Sequence, residues 1–135
     1  MSAISNVGHL IFSLCEKRIA SKQVIKFLEQ MLRHHPRRHL VVVVDQASPH
    51  VSKMTRAFVA SQKRLHVFYL PPYSPEFNAD EKVWSHLKHQ ELQGHQAIDK
   101  KGLKKVARKR LLKMARDPSL VRGIFFRCCI AELMN

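Results

Sequence analysis

Five consecutive apolar residues, Leu40-Val41-Val42-Val43-Val44, end at an aspartate, Asp45. Branched residues on both faces of such a run fit a strand covered on both sides, and strands of that kind lie near the middle of sheets flanked by helices. In open α/β sheets, ligands sit beyond the carboxyl ends of parallel strands, the place Asp45 occupies. Asp45-Gln46-Ala47-Ser48-Pro49 is also turn-like, so a purely structural Asp45 stays open at this point.

The rest of the chain supplies elements to flank that strand. Residues 3–7 and 9–15 read as two strands around a tight turn at Asn6-Val7-Gly8. Ser21 is placed to cap a helix running to about His35, where Val24, Ile25, Leu28, Met31 and Leu32 share a face and Pro36 stops it. Residues 51–61 read as a helix with Met54, Phe58 and Val59 inward, and residues 65–70 as a strand. Asn78 fits an N-cap for a helix from Ala79 to about His89, buried through Val83, Trp84 and Leu87.

After a break at Gln93-Gly94-His95, two more helices follow. One spans 100–116 with Leu103, Val106, Ala107, Leu111 and Met114 as its apolar side. The last opens at Asp117-Pro118 and carries Leu120, Val121, Ile124, Phe125, Cys128 and Leu133. The order predicts an α/β fold with a mixed sheet, an antiparallel hairpin followed by right-handed crossovers into parallel strands.

Charge limits the partners. The 135 residues hold 24 Lys and Arg against 10 Asp and Glu, a formal net charge of +14. That excess implies a polyanion, of which nucleic acid is the commonest. Its densest part runs from Lys100 to Arg116 without one acid, which reads equally well as a solvated helix face or a DNA-facing surface. No stretch approaches a membrane span, and no secretory signal is visible at residues 1–5. Cys15, Cys128 and Cys129 form no Cys-x-x-Cys, and the two neighbours cannot easily pair, so reduced thiols and a cytoplasmic location are expected.

A second carboxylate, Glu81, follows Asp45 with 35 residues between them. An Asp at a strand end and a Glu at a helix start are half of a divalent-metal site. Asn78-x-x-Glu81 also matches a capping box, and spacing alone favours that helix-end role. His86 and His89 at i, i+3 lack further partners for zinc. Ser48 and Ser52 near His50 carry no oxyanion signature. An unrelated metal nuclease would need His50 or Asp80 to join Asp45 and Glu81 as a third ligand.

Two blocks fit a known pattern. Val43-Val44-Asp45-Gln46-Ala47-Ser48-Pro49-His50, and the segment from Phe68 through Pro71-Pro72-Tyr73-Ser74-Pro75 and Asn78-Ala79-Asp80-Glu81-Lys82-Val83-Trp84 to Lys88, closely resemble the IS630-type transposases of bacteria. These belong to the Tc1/mariner group of DDE enzymes, and Asp117 to Arg127 resembles the family's closing helix. The resemblance implies a ribonuclease-H-like catalytic domain that cuts and joins DNA at transposon ends with two Mg²⁺ ions. Asp45 then matches the second catalytic carboxylate and Glu81 the third, both as metal ligands. Lys82, Lys88, Lys104, Lys105, Arg108 and Lys109 are the candidate nucleic-acid contacts.

Departures are specific. Gln46 stands where the family usually has Asn, and Ala79 where it often has Pro. No acid precedes Glu16, so the family's first catalytic Asp, on the central strand before the hairpin, has no counterpart. The expectation is a truncated ribonuclease-H-like core at 1–93 lacking that strand, with a basic helical extension of the same domain at 94–135. Such a chain is inactive alone and acts on DNA only when an upstream transposase fragment supplies the first strand and Asp. A nucleoid-associated cytoplasmic location in a bacterium goes with this reading. The alternative is a non-catalytic basic nucleic-acid-binding module.

Overall fold

The computed structural model describes residues 1–91 and 99–128. The Gln93-Gly94-His95 break, the expected 93/94 boundary, Cys129 and Leu133 lie outside the described residues. The chain divides into two compact units, one of Cys15–Pro75 and one of Met1–Leu14 with Glu76–Asn135.

The first unit contains β3 (Leu40–Val44) and β4 (Leu65–Tyr69), paired in parallel from Leu40 opposite Leu65 to Val44 opposite Tyr69. The helices α1 (Ser21–His34), α2 (Ser48–Val51) and α3 (Lys53–Ser61) accompany them. Val24, Leu28, Met31 and Leu32 bury the expected face of α1, together with Phe27, which helical spacing from Val24 and Met31 also places there.

Ser21 is the first helical residue of α1 rather than its cap. Its hydroxyl donates to Ser52 Oγ at 2.7 Å, and the Ala20 amide at the cap position is taken by Gln23 Oε1 at 3.2 Å. At the other end, Arg64 Nη1 donates to the carbonyls of His35 and Arg38, both at 2.7 Å, and so ties the start of β4 to the turn that follows α1.

The helix expected over 51–61 breaks at Ser52 instead. Ser52 leaves helical geometry to cap α3, accepting from the Thr55 amide at 3.2 Å, while Thr55 Oγ1 donates to Pro49 O at 2.7 Å. Thr55, not Met54, is therefore the buried residue of α3, and Met54 is exposed.

The strand β3 is covered on one face only. Leu40, Val42 and Val44 are half-buried, whereas Val41 is 67% and Val43 41% exposed, and on β4 Phe68 is 58% exposed. The strands form two separate pairs, β1 with β2 and β3 with β4, and no strand lies beyond β3 opposite β4 among the described residues. Nothing among the described residues covers the face that carries these three apolar side chains.

The second unit opens with the hairpin β1 (Ser2–Ile4) and β2 (Leu10–Phe12), antiparallel with Ala3 opposite Ile11. Its turn needs Gly8, whose φ is +92° and where an added Cβ would lie 2.4 Å from Pro118 O. Then come a 3₁₀ turn (Pro75–Phe77), α4 (Ala79–His86) continuing as a π-helical turn (Leu87–Glu91), α5 (Lys100–Ala115) and α6 (Pro118–Phe126).

Asp99 and Asp117 cap α5 and α6 by accepting from the Gly102 and Leu120 amides. Leu10, Val83, Leu87, Ala107, Leu111, Met114, Val121 and Ile124 form one core, each large side chain contributing about 1.5–3 kcal/mol by burial. Leu103, expected in that core, is exposed. Buried Cys128 joins the unit by its Sγ at 3.4 Å from Glu76 O.

Arg64→Ala removes a charged donor from two carbonyls at once. It is expected to lower stability by about 2 kcal/mol in urea denaturation, with Arg64→Lys restoring only part because one ammonium cannot also replace Nη2, which donates to Leu32 O at 3.5 Å.

Candidate active site

Parallel pairing brings the ends of β3 and β4 to one edge. The Leu70 amide donates to Val44 O at 2.8 Å, and Gln46 Nε2 donates to Leu70 O at 2.9 Å. Asp45 leaves the sheet between those ties. Its Oδ1 accepts from the Ala47 amide at 3.0 Å, a side-chain-to-backbone turn that fixes χ1, and from His50 Nδ1 at 2.6 Å. The imidazole Nδ1 carries the hydrogen, because an ionised carboxylate only accepts. His50 is held in turn by Tyr69, whose hydroxyl donates to His50 O at 3.3 Å.

With Oδ1 doubly engaged, Oδ2 has no hydrogen bond among the described residues, and the Asp45 side chain is 44% exposed. A carboxylate fixed through one oxygen and open at the other is suited to a cation or a polar ligand. His50 acts as the clamp on Asp45, a role that the sequence suggested only as a third metal ligand.

Glu81 sits in the first turn of α4 and is exposed. The expected capping box is not formed. Asn78 Oδ1 accepts from the Asp80 amide at 3.1 Å, and the Glu81 carboxylate has neither a hydrogen bond nor an ion pair among the described residues. The cap is satisfied by Asn78 alone, which leaves Glu81 available for chemistry at the positive end of the helix.

Its neighbour Asp80 turns the other way. The Ser2 hydroxyl donates to Asp80 Oδ1, and Trp84 also hydrogen-bonds the carboxyl. Burial pushes the Asp80 carboxyl above its ordinary value of 3.8, outweighing the lowering effect of those hydrogen bonds. Asp80 thus tethers α4 to β1 and is not a ligand placed beside Glu81.

Among the described residues, no three His, Cys, Asp or Glu side chains gather as a metal would require. Asp45 and Glu81, each in its own unit, are carboxylates open to solvent, and donors of that kind suit a hard divalent cation. Of the candidate nucleic-acid contacts, Lys88, Lys105, Arg108 and Lys109 are exposed, and Lys82 and Lys104 half-buried. Lys105, Arg108 and Lys109 stand at i, i+3, i+4 on the outer side of α5, opposite buried Ala107, Leu111 and Met114.

A parallel strand pair ending in a clamped Asp, a helix starting with an open Glu, and a mixed α/β architecture consistent with a ribonuclease-H-like nuclease define a class. The chain belongs to the DDE superfamily endonucleases, whose family model matches residues 1–104 and so covers both carboxylates. Enzymes of this superfamily act on DNA and use divalent metals. No curated protein matches the chain. No helix among the described residues is long and apolar enough to cross a membrane.

The raised Asp80 carboxyl gives a signed pH effect. Its protonated form is favoured in the folded state, so the stability it contributes is full below pH 3.8 and is lost as pH rises through the elevated folded value. Asp80→Asn is expected to remove that slope from a stability-versus-pH series in urea, while the wild-type protein retains it.

Proposed function

We propose that the chain is the C-terminal portion of an IS630-type, Tc1/mariner-group DDE transposase catalytic domain. In this reading residues 1–93 are the catalytic core and 94–135 its basic helical extension. Asp45 and Glu81 serve as the second and third carboxylates of a two-Mg²⁺ centre, and the DNA of transposon ends is the substrate. The observation that carries the reading is Asp45 at the end of β3, clamped through one oxygen by Ala47 and His50 and open at the other.

When bound, the metal pair supplies a Lewis acid at phosphate and an activated oxygen nucleophile. The protein's part is to hold its carboxylate oxygens in place before the ions arrive, which the clamp on Asp45 does.

The first carboxylate belongs on a strand laid along the open edge of β3. Support comes from the backbone of that edge, which no strand among the described residues pairs. An upstream transposase segment bearing an acid would pair with that edge and complete the site together. With two carboxylates, Mg²⁺ binds weakly and strand cleavage is negligible. The chain purified by itself is expected to show no Mg²⁺-dependent nicking of DNA above a Glu81→Gln control; robust nicking abolished by Glu81→Gln would refute the incomplete-site reading.

One observation favours a second, non-catalytic reading as a basic DNA-binding module. The exposed cations of α5 run from Lys100 to Lys113, roughly 20 Å at the helical rise of 1.5 Å, with Arg116 at its C-cap, and most lie beyond the family match. Replacing Lys105, Arg108 and Lys109 by Ala is expected to weaken duplex DNA binding and to reduce the slope of log affinity against log salt by about 0.9 per contact. If the module reading holds, Asp45→Asn leaves affinity unchanged with or without Mg²⁺; loss of a Mg²⁺-dependent increment in Asp45→Asn supports the catalytic-domain reading instead.

A further inference from the structure

Tyr73 combines two features that rarely occur together. Its φ is +55°, the one positive value at a non-glycine position among the described residues, and its side chain is fully exposed. A bulky aromatic in the left-handed region is strained, and the place after a proline in a turn of this kind ordinarily goes to Gly or Asn. Pro72 precedes it, Ser74 Oγ donates to Pro72 O at 3.3 Å, and Pro75 follows, so the turn leaves the ring little freedom to fold back.

No internal contact offsets the strain. Among the described residues the ring stacks on nothing and the phenol has no hydrogen bond. Strain kept at a site with no partner inside its own unit points to a partner outside it.

Position says which partner. Tyr73 lies three residues beyond Leu70, whose amide and carbonyl are tied to Val44 O and to Gln46 on either side of Asp45. The loop therefore leaves the sheet at the same edge as the Asp45 carboxylate, within one compact unit. A planar ring held in water, on a loop that leaves the same end of the strand pair as the Asp45 carboxylate, matches the flat face of a nucleobase. Paired bases in a duplex hide those faces in the stack; an unpaired base offers one.

We propose that Tyr73 is a stacking platform for an unpaired base of the DNA strand engaged at Asp45. The inference rests on the reading of Asp45 as part of a DNA-acting site. Stacking is tolerant of sequence and carries no charge, so it adds affinity for single strands without altering the number of phosphates neutralised.

The test uses fluorescence anisotropy of the full chain with a labelled single strand and with a closed dumbbell duplex that has no free ends. The variants are Tyr73→Gly and Tyr73→Phe. Tyr73→Gly is expected to raise the thermal midpoint by relieving φ, yet to weaken single-strand binding by about fivefold to a hundredfold, the equivalent of one lost base–aromatic stack. Tyr73→Phe should bind as wild type, and duplex affinity and the salt slope should be the same for all three. A raised midpoint with weakened binding separates recognition from a structural role.

Single-strand affinity unchanged in Tyr73→Gly, with duplex binding intact, overturns the stacking proposal alone. So does an equal loss in Tyr73→Phe, which would assign the effect to the hydroxyl. Absence of binding to either DNA by the wild-type chain overturns both the proposal and the DNA-acting reading beneath it.

Discussion

The parallel ladder between β3 and β4 is the constraint on which the candidate site depends. Its register, with Val44 opposite Tyr69, delivers Asp45 and the proline loop to one edge, and the ties from Leu70 and Gln46 hold that edge closed. A slip of one residue would turn Val42 and Val44 outward and rotate the strand end that Asp45 continues. The hydroxyl cluster of Ser21, Ser52 and Thr55 and the Arg64 bridge to His35 and Arg38 brace the helices around this ladder. In this unit, polar contacts fix what apolar burial on a single sheet face leaves loose.

The other unit is built on the opposite balance. Val83, Leu111 and Val121 are fully buried, and α4, α5 and α6 converge on them with β1 and β2 alongside. That core sets α4, and with it Glu81, by packing. Asp80 is spent on the tether to Ser2 and Trp84, so two adjacent acids, alike in sequence, have opposite uses: one holds the helix and the other faces solvent. The basic outer face of α5 follows from the same packing, since burying Ala107, Leu111 and Met114 turns Lys105, Arg108 and Lys109 outward.

Much of this was legible in residue patterns. The Leu40–Val44 run gave a strand with Asp45 at its end, helical spacing gave the buried faces of α1 and α6, and Asp-Pro marked the start of α6. Patterns failed where a side chain had a choice of partner. Asn78-x-x-Glu81 spells a capping box, but one Asn satisfies the helix end and Glu81 is released. Ser52 reads as the second residue of a helix until its capping of the Thr55 amide is seen, and that capping moves Met54 outside. Branched residues on both faces of β3 implied cover on both faces, whereas Val41 and Val43 have none among the described residues. The clamp of His50 on Asp45 needed coordinates, because no spacing rule links a strand end to an imidazole five residues on.

Under the proposed function, Asp45 and Glu81 are ligands of one divalent-metal centre. Manganese, a paramagnetic stand-in for Mg²⁺, tests it by NMR on protein labelled at its Asp and Glu carboxyl carbons. Low Mn²⁺ should broaden the Asp45 and Glu81 signals together, leave Asp99 and Asp117 sharp, and be reversed by excess Mg²⁺. Broadening of one of the two without the other, or of neither, would contradict the account.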